Sequence, residues 1–238
     1  MKHFLTLLLL LSAAGLAAQF GVHGYYQTQQ TPDWNATLTT VLSGKQNVDF
    51  LERGYRFGVD YWSKPIEDLR ITVTPGISVA RSTSELTNEA ALQPAPVDFS
   101  LLQIGLNLPI NVYPFDLYGD CDCPTWSQSE PFLKKGFFFQ VMPAVYHNTY
   151  RARFVGAGEA AGASNQNVNF ALGAGAGLDI GFSDLITLSP TVRYVQHFGK
   201  QWTNLPFLLA QNEPATQEFR SDLRAWEFGM RLGIRLDY

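Results

Sequence analysis

From Phe228 to the end of the chain every second side chain is apolar. Phe228, Met230, Leu232, Ile234, Leu236 and Tyr238 fall on one face, and Gly229, Arg231, Gly233, Arg235 and Asp237 on the other. A period of two is the side-chain spacing of a β-strand and not of a helix. Val168, Phe170, Leu172, Ala174, Ala176, Leu178, Ile180 and Phe182 alternate in the same way with Asn169, Ala171, Gly173, Gly175, Gly177, Asp179 and Gly181. Both runs outlast a usual strand of about five or six residues. With 20 Gly and 13 Pro in 238 residues, a bundle of long helices is excluded as well.

The same test along the chain predicts eight strands, near 20–28, 54–63, 69–81, 99–113, 136–150, 168–182, 186–198 and 223–238. The connections after the first, third, fifth and seventh (29–53, 82–98, 151–167 and 199–222) are long and polar or low in complexity. Those around Lys64–Asp68 and Ser183–Leu185 are short. Long loops on one rim and short turns on the other are how up-and-down outer-membrane barrels are built. Strands three, five and seven repeat a pattern, ITVTPGISVAR, FFQVMPAVYHN and ITLSPTVRYVQ, with Pro75, Pro143 and Pro190 on the apolar face. Proline removes a ladder hydrogen bond and a closed barrel has no edge to hide it, so each must sit at an irregularity.

The N-terminus has a separate reading. Lys2 and His3 precede an apolar stretch, Phe4–Leu11, and small residues up to Ala18. That is the layout of a secretory signal peptide, with cleavage expected after Ala18, or alternatively after Ala17. The domain assignment is therefore 1–18 signal peptide and 19–238 barrel. No Cys follows the cleavage site, which argues against a lipidated N-terminus. Past it, no apolar stretch approaches the roughly 20 residues of a spanning helix. A membrane protein of this sequence must cross with strands, and only a closed barrel can do so.

Alternation alone fits two barrels, one with the apolar face inside around a ligand and one with it outside against lipid. The opposite face separates them. Asn, Ala, Gly, Gly, Gly, Asp, Gly makes a poor solvent surface, but small residues suit the narrow lumen that eight strands enclose. Arg56, Asp60, Arg70, Asp179, Arg193, Glu227, Arg231, Arg235 and Asp237 fall on that face, with both signs represented. Inside a lumen each needs a partner, so a closing charge network is expected. The fold class expected is all-β, an eight-stranded antiparallel up-and-down transmembrane β-barrel. A soluble periplasmic ligand-binding barrel is the alternative.

The final strand, WEFGMRLGIRLDY, with Phe228, Met230, Leu232, Ile234, Leu236 and the terminal Tyr238, resembles the C-terminal signal that outer-membrane assembly machinery reads. In size and layout residues 19–238 are similar to small eight-stranded outer-membrane barrels, notably the PorT-like "outer membrane protein beta-barrel domain" group. The segment VYPFDLYGDCDCPTW…PFLKKGFFFQ resembles stretches of that group. The resemblance implies a Gram-negative cell outer membrane, lipid and lipopolysaccharide as surroundings, and the barrel-assembly machinery as a partner during biogenesis. It carries over no catalytic residues.

Chemistry-bearing constellations are few. Cys121 and Cys123 sit in Asp120-Cys121-Asp122-Cys123, within a turn, 114–135, that is long for its rim. A strained Cys-x-Cys disulfide, inert thiols, and a metal held by the thiolates or the neighbouring carboxylates all stay open. His147-x-Thr149 is the nearest approach to a lipid-modifying nucleophile pair, with Thr in place of Ser and no evident acid. His197 is expected to face the lumen as a member of the network. The aromatics Tyr25, Tyr26, Tyr55, Tyr61, Trp62, Tyr113, Tyr146, Tyr150, Tyr194 and Trp226 are expected in interfacial girdles. A net charge of −4 with no basic cluster excludes a nucleic-acid partner. No cofactor is expected. The function expected is non-enzymatic and structural, adhesive or assembly-related, with a protein partner at the loops or at turn 114–135. A narrow channel and a lipid-modifying enzyme are the alternatives.

Overall fold

The computed structural model describes residues 19–41, 50–65, 69–87, 96–115, 136–154, 162–183, 185–203 and 218–235. Eight antiparallel strands close on themselves. They are β1 (Gln19–Gln30), β2 (Arg53–Trp62), β3 in two segments (Ile71–Val73 and Gly76–Thr87) and β4 in two segments (Pro96–Asn107 and Ile110–Val112). Then follow β5 (Phe137–Phe154), β6 (Gly162–Leu178 continuing as Ile180–Gly181), β7 (Ile186–Thr203) and β8 (Glu218–Arg235). Each pairs with the next, and the circle shuts between β1 and β8 from Gln19↔Arg235 to Gln30↔Arg224. Around the belt every strand is therefore paired on both sides, while above it the ladder between β6 and β7 stops at His197↔Ala171. The fold is the all-β eight-stranded antiparallel barrel that the alternation predicts.

The prolines lie where the ladders are broken. Pro75 separates the two segments of β3, and its carbonyl accepts from Tyr61 N at 2.9 Å. Pro143 stands beside the interruption of β4, where Leu108 N donates to its carbonyl at 3.0 Å. Pro190 stands beside the interruption of β6 at Asp179. The missing N–H thus falls where regular pairing lapses.

The faces divide as the alternation requires. Phe57, Leu106 and Val168, at 64%, 64% and 66% exposure, point outward with Val22, Val79, Val141, Val192, Phe228 and Met230, so every strand contributes to a continuous apolar belt. The inward face carries glycine where a large lumen side chain needs the space. A Cβ at Gly175 would come 2.5 Å from that of Arg193, and one at Gly105 or Gly177 would enter the ring of Tyr146 or Phe138. Replacing Gly175 with Val is therefore expected to destabilise the barrel by about 1–3 kcal/mol through overpacking. A lowered urea midpoint in lipid vesicles would register it.

Three strands and one connection differ from expectation. β5, β7 and β8 each run for 18 residues, against the roughly 9–11 that a bilayer requires. The excess lies on the long-loop side, where the expected strand ends at 150, 198 and 223 become 154, 203 and 218. The wall therefore rises well above the apolar belt. The connection 29–53, expected as a polar loop, contains a helix, α1 (Pro32–Val41). Its start is locally encoded. Thr31 precedes Pro32 and Asp33, its carbonyl accepts from Asn35 N at 2.8 Å, and its hydroxyl donates to Asn35 Oδ1 at 3.1 Å. Trp34 and Leu38, four residues apart on one helix face, are fully buried in the barrel mouth. The leader expected over 1–18 lies outside the described residues, as do the loops 42–49 and 204–217.

Candidate functional site

The lumen is organised in layers from the short-turn end to the long-loop end. At the short-turn end is a small polar vestibule, with room for about 30 Å3, whose lining includes His23, Asp60, Asn111, Gln140, Asp179 and Arg231. Asp60 accepts from Arg231 Nε at 2.7 Å and lies 2.9 Å from His23 Nδ1. Asp179 accepts from the Tyr113 hydroxyl and from Ser189 Oγ, each at 2.5 Å. The Arg70 guanidinium lies over the Tyr113 ring at 4.9 Å. Both carboxylates are therefore held by donors from other strands.

Mid-barrel, Glu227 has no solvent exposure and joins three strands. Its Oε1 accepts from Arg56 Nε at 2.9 Å and from Gln27, and its Oε2 accepts from Arg193 Nε at 2.5 Å. Arg56 also donates to Ser78 Oγ at 3.1 Å and lies 4.6 Å over the Tyr146 ring; Arg193 lies 4.1 Å over the Tyr25 ring. Tyr146 donates to Asn107 Oδ1 at 2.6 Å, and Asn107 donates to Ser78 Oγ at 2.7 Å. Side chains from β1, β2, β3, β4, β5, β7 and β8 thus fill one cross-section. In a low-dielectric interior such a layer holds together only if its charges are paired and hydrogen-bonded.

At the long-loop end the lumen turns apolar. Trp34 and Leu38 of α1, with Phe50 and Leu51 behind it, pack on Val97, Phe99 and Leu101 of β4, Tyr150 of β5, Trp202 of β7 and Leu223 of β8. The rings meet edge to face or tilted: Trp34 with Tyr150 at 5.7 Å, Trp34 with Trp202 at 5.9 Å, Phe50 with Phe99 at 5.1 Å and Tyr150 with Trp202 at 4.9 Å. Such pairings add to the burial itself. Leu51 takes a left-handed backbone, φ 55°, to turn this segment inward, a strain that tight packing can hold. The result is an aromatic plug.

Of the lumen charges expected from sequence, Arg56, Arg193 and Glu227 meet in the central layer, and Asp60 and Arg231 pair below it. Arg70 and Asp179 flank Tyr113 at the short-turn end. Arg235 pairs with Gln19 through its backbone. Asp237, Leu236 and Tyr238 lie outside the described residues, as do Cys121, Cys123 and most of the turn 114–135. His197 does face the lumen, but neither of its ring nitrogens has a hydrogen-bond partner, so it is not a member of the network. His147 points outward from β5 and makes no hydrogen bond or ion pair among the described residues. The girdle divides. Tyr55 and Trp226 are exposed, and Tyr26 and Tyr194 stand beside them, at ring distances of 5.6 and 5.3 Å. Tyr25, Tyr113, Tyr146 and Tyr150 are instead buried and not interfacial, because their strand parity places them inside. The lumen amides Gln27, Asn107, Gln140 and Asn148 complete the polar interior from β1, β4 and β5, strands that carry none of the expected charges.

No protein-family model matches this chain, and no curated protein sequence does. Among solved structures it is similar to Neisserial surface protein A, at 11% identity over 92% of this chain and 97% of that one, with a TM-score of 0.42. It is similar to Ail, the attachment invasion locus protein of Yersinia pestis, at 10% identity over 92% and 99%, TM-score 0.43. The outer membrane protein OprG of Pseudomonas aeruginosa aligns at 12% identity over 92% and 97%, TM-score 0.36. These likenesses concern architecture, and no residue role is taken from them.

Proposed function

We propose that the chain is an integral outer-membrane barrel that works as a sealed scaffold, neither pore nor enzyme, displaying its raised long-loop rim to partners. The observation that carries this reading is the double closure of the lumen, by the Glu227 layer and by the aromatic plug, within a wall whose outer face is apolar on every strand. Export through the leader over 1–18 and membership of the PorT-like group belong to the same proposal. They rest on Phe4–Leu11, on the terminal strand and on the segment beginning Val112-Tyr113-Pro114.

Lipid and lipopolysaccharide are the proposed surroundings of the wall. Above the belt, Arg81, Arg151, Arg153 and Arg224 point outward on β3, β5 and β8, where a guanidinium can pair with phosphate in two-point geometry. In this reading the long-loop end lies outside the cell and the short turns in the periplasm. Phe57→Arg, placed in the belt, is expected to cost about 2–4 kcal/mol if its side chain faces the bilayer midplane. Comparing urea midpoints of the variant and wild type in vesicles would read the difference.

The test of the sealed scaffold is electrical. The folded barrel, identified by faster gel migration unboiled than boiled, is inserted into planar bilayers. Silent insertion is the expected result. Discrete unit steps that change with Arg231 or Arg235 substitution would replace the scaffold with a narrow channel.

A further inference from the structure

Where β1 gives way to α1, a cleft of about 580 Å3 opens at the long-loop end, with Gln30, Asn35, Glu52, Tyr194, Arg224 and Trp226 among its lining residues. That volume falls in the range of small-molecule sites, roughly 300–1,000 Å3. Gln30, Tyr194, Arg224 and Trp226 carry the outward parity of their strands. The cleft is therefore reached from outside the wall, at the upper margin of the apolar belt.

Strand pairing sets its floor. Trp226 stands beside Tyr194 on the neighbouring strand, and Gln30 beside Arg224 one row nearer the rim. The Trp226 and Tyr194 rings meet edge to face at 5.3 Å, and half of Trp226 is exposed. Interfacial depth accounts for two aromatics at this level. It does not account for the amides, the carboxylate and the guanidinium gathered around them. Asn35 comes from α1 and Glu52 from the residue before β2. The side chains of Gln30 and Arg224 and the Trp226 indole N–H make no hydrogen bond or ion pair among the described residues. Asn35 engages its Oδ1, which accepts from Thr31.

An exposed aromatic face takes apolar C–H groups, while amide and guanidinium groups present paired, planar hydrogen-bonding atoms that can meet two neighbouring hydroxyls. A sugar ring offers both, C–H groups on its face and hydroxyls along its edge. One cation, Arg224, and one anion, Glu52, give this lining no net charge. We propose that the cleft binds an uncharged pyranose sugar, stacked on Trp226 and held along its edge by Gln30, Asn35 and Arg224. Two sources carry that chemistry, the headgroup of an outer-leaflet glycolipid and a glycan outside the cell. The site does not depend on whether the lumen is sealed, since it is reached from outside the wall.

The experiment uses the full barrel in phosphatidylcholine nanodiscs. Magnetisation transfer from protein to the ring protons of maltose, lactose and cellobiose is measured by NMR, with each sugar free and as its dodecyl glycoside in the nanodisc. Transfer above that of empty nanodiscs is expected. Trp226→Ala should weaken the binding about five- to tenfold, and Trp226→Tyr should keep most of it. Transfer to the free sugar identifies an external glycan, and transfer to the anchored form alone a glycolipid headgroup. Transfer no greater than that of empty nanodiscs in both forms, or binding unchanged in Trp226→Ala, would overturn the proposal. Should Trp226→Ala fail to fold, the exposed pair Gln30→Ala with Arg224→Ala takes its place; lost binding supports the site and unchanged binding refutes it.

Discussion

Glu227→Ala is expected to cost the barrel about 3–5 kcal/mol, because it leaves two buried guanidinium groups facing each other without their shared carboxylate. The substitution removes the acceptor of Arg56, Arg193 and Gln27 at once, in a residue with no solvent exposure. Urea unfolding in vesicles measures the loss. A companion variant shows where that cost arises. Changing Arg56, Glu227 and Arg193 together to Met, Leu and Met removes both the charges and their burial penalty. Such replacements are often neutral or stabilising, so the triple variant is expected to be more stable than Glu227→Ala. If Glu227→Ala unfolds at the wild-type midpoint, the layer is hydrated and does not seal the lumen.

The second large effect is at the plug. Trp34 is fully buried against Phe50, Tyr150 and Trp202, and truncating a buried Trp to Ala costs about 3–5 kcal/mol through lost transfer energy and the cavity left behind. Trp34→Ala is therefore expected to lower the unfolding midpoint about as much as Glu227→Ala does. Alone, it should leave the bilayer silent, because the Glu227 layer still spans the lumen. Combined with Glu227→Ala it should open both closures and produce discrete current steps. Steps from Trp34→Ala alone would mean that the plug is the only seal.

How far the sequence reveals this molecule depends on which interactions are periodic. Strand number, closure and the direction of each face follow from alternation, since one-residue slips would expose every apolar side chain to the lumen. The lumen charges are legible for the same reason. Parity also locates Tyr146 and Tyr150, which share the even positions of Met142 and Ala144 inside β5. Reading them by nearness to a strand end mistakes them for girdle residues. The plug is harder. Thr31-Pro32-Asp33 is a clear helix start, yet whether Trp34 enters the lumen is settled by Trp202 and Phe99, far away in sequence. Trp202 itself points inward only because of a bulge between His197 and Lys200. Gly199 is the single local hint of that bulge, and with it of Lys200, whose burial no pattern of period two predicts.

The most direct test of the account is a parity scan of β8 in lipid. Single spin-labelled cysteines are placed from Trp226 to Ile234 in a background with Cys121 and Cys123 replaced by Ser. Oxygen dissolved in the bilayer should strongly relax labels at 226, 228, 230, 232 and 234, while those at 227, 229, 231 and 233 should be shielded from oxygen and from polar relaxants. If the odd positions are the ones that oxygen reaches, the apolar face lines an interior, and the chain is a ligand-binding barrel instead of a membrane-spanning one.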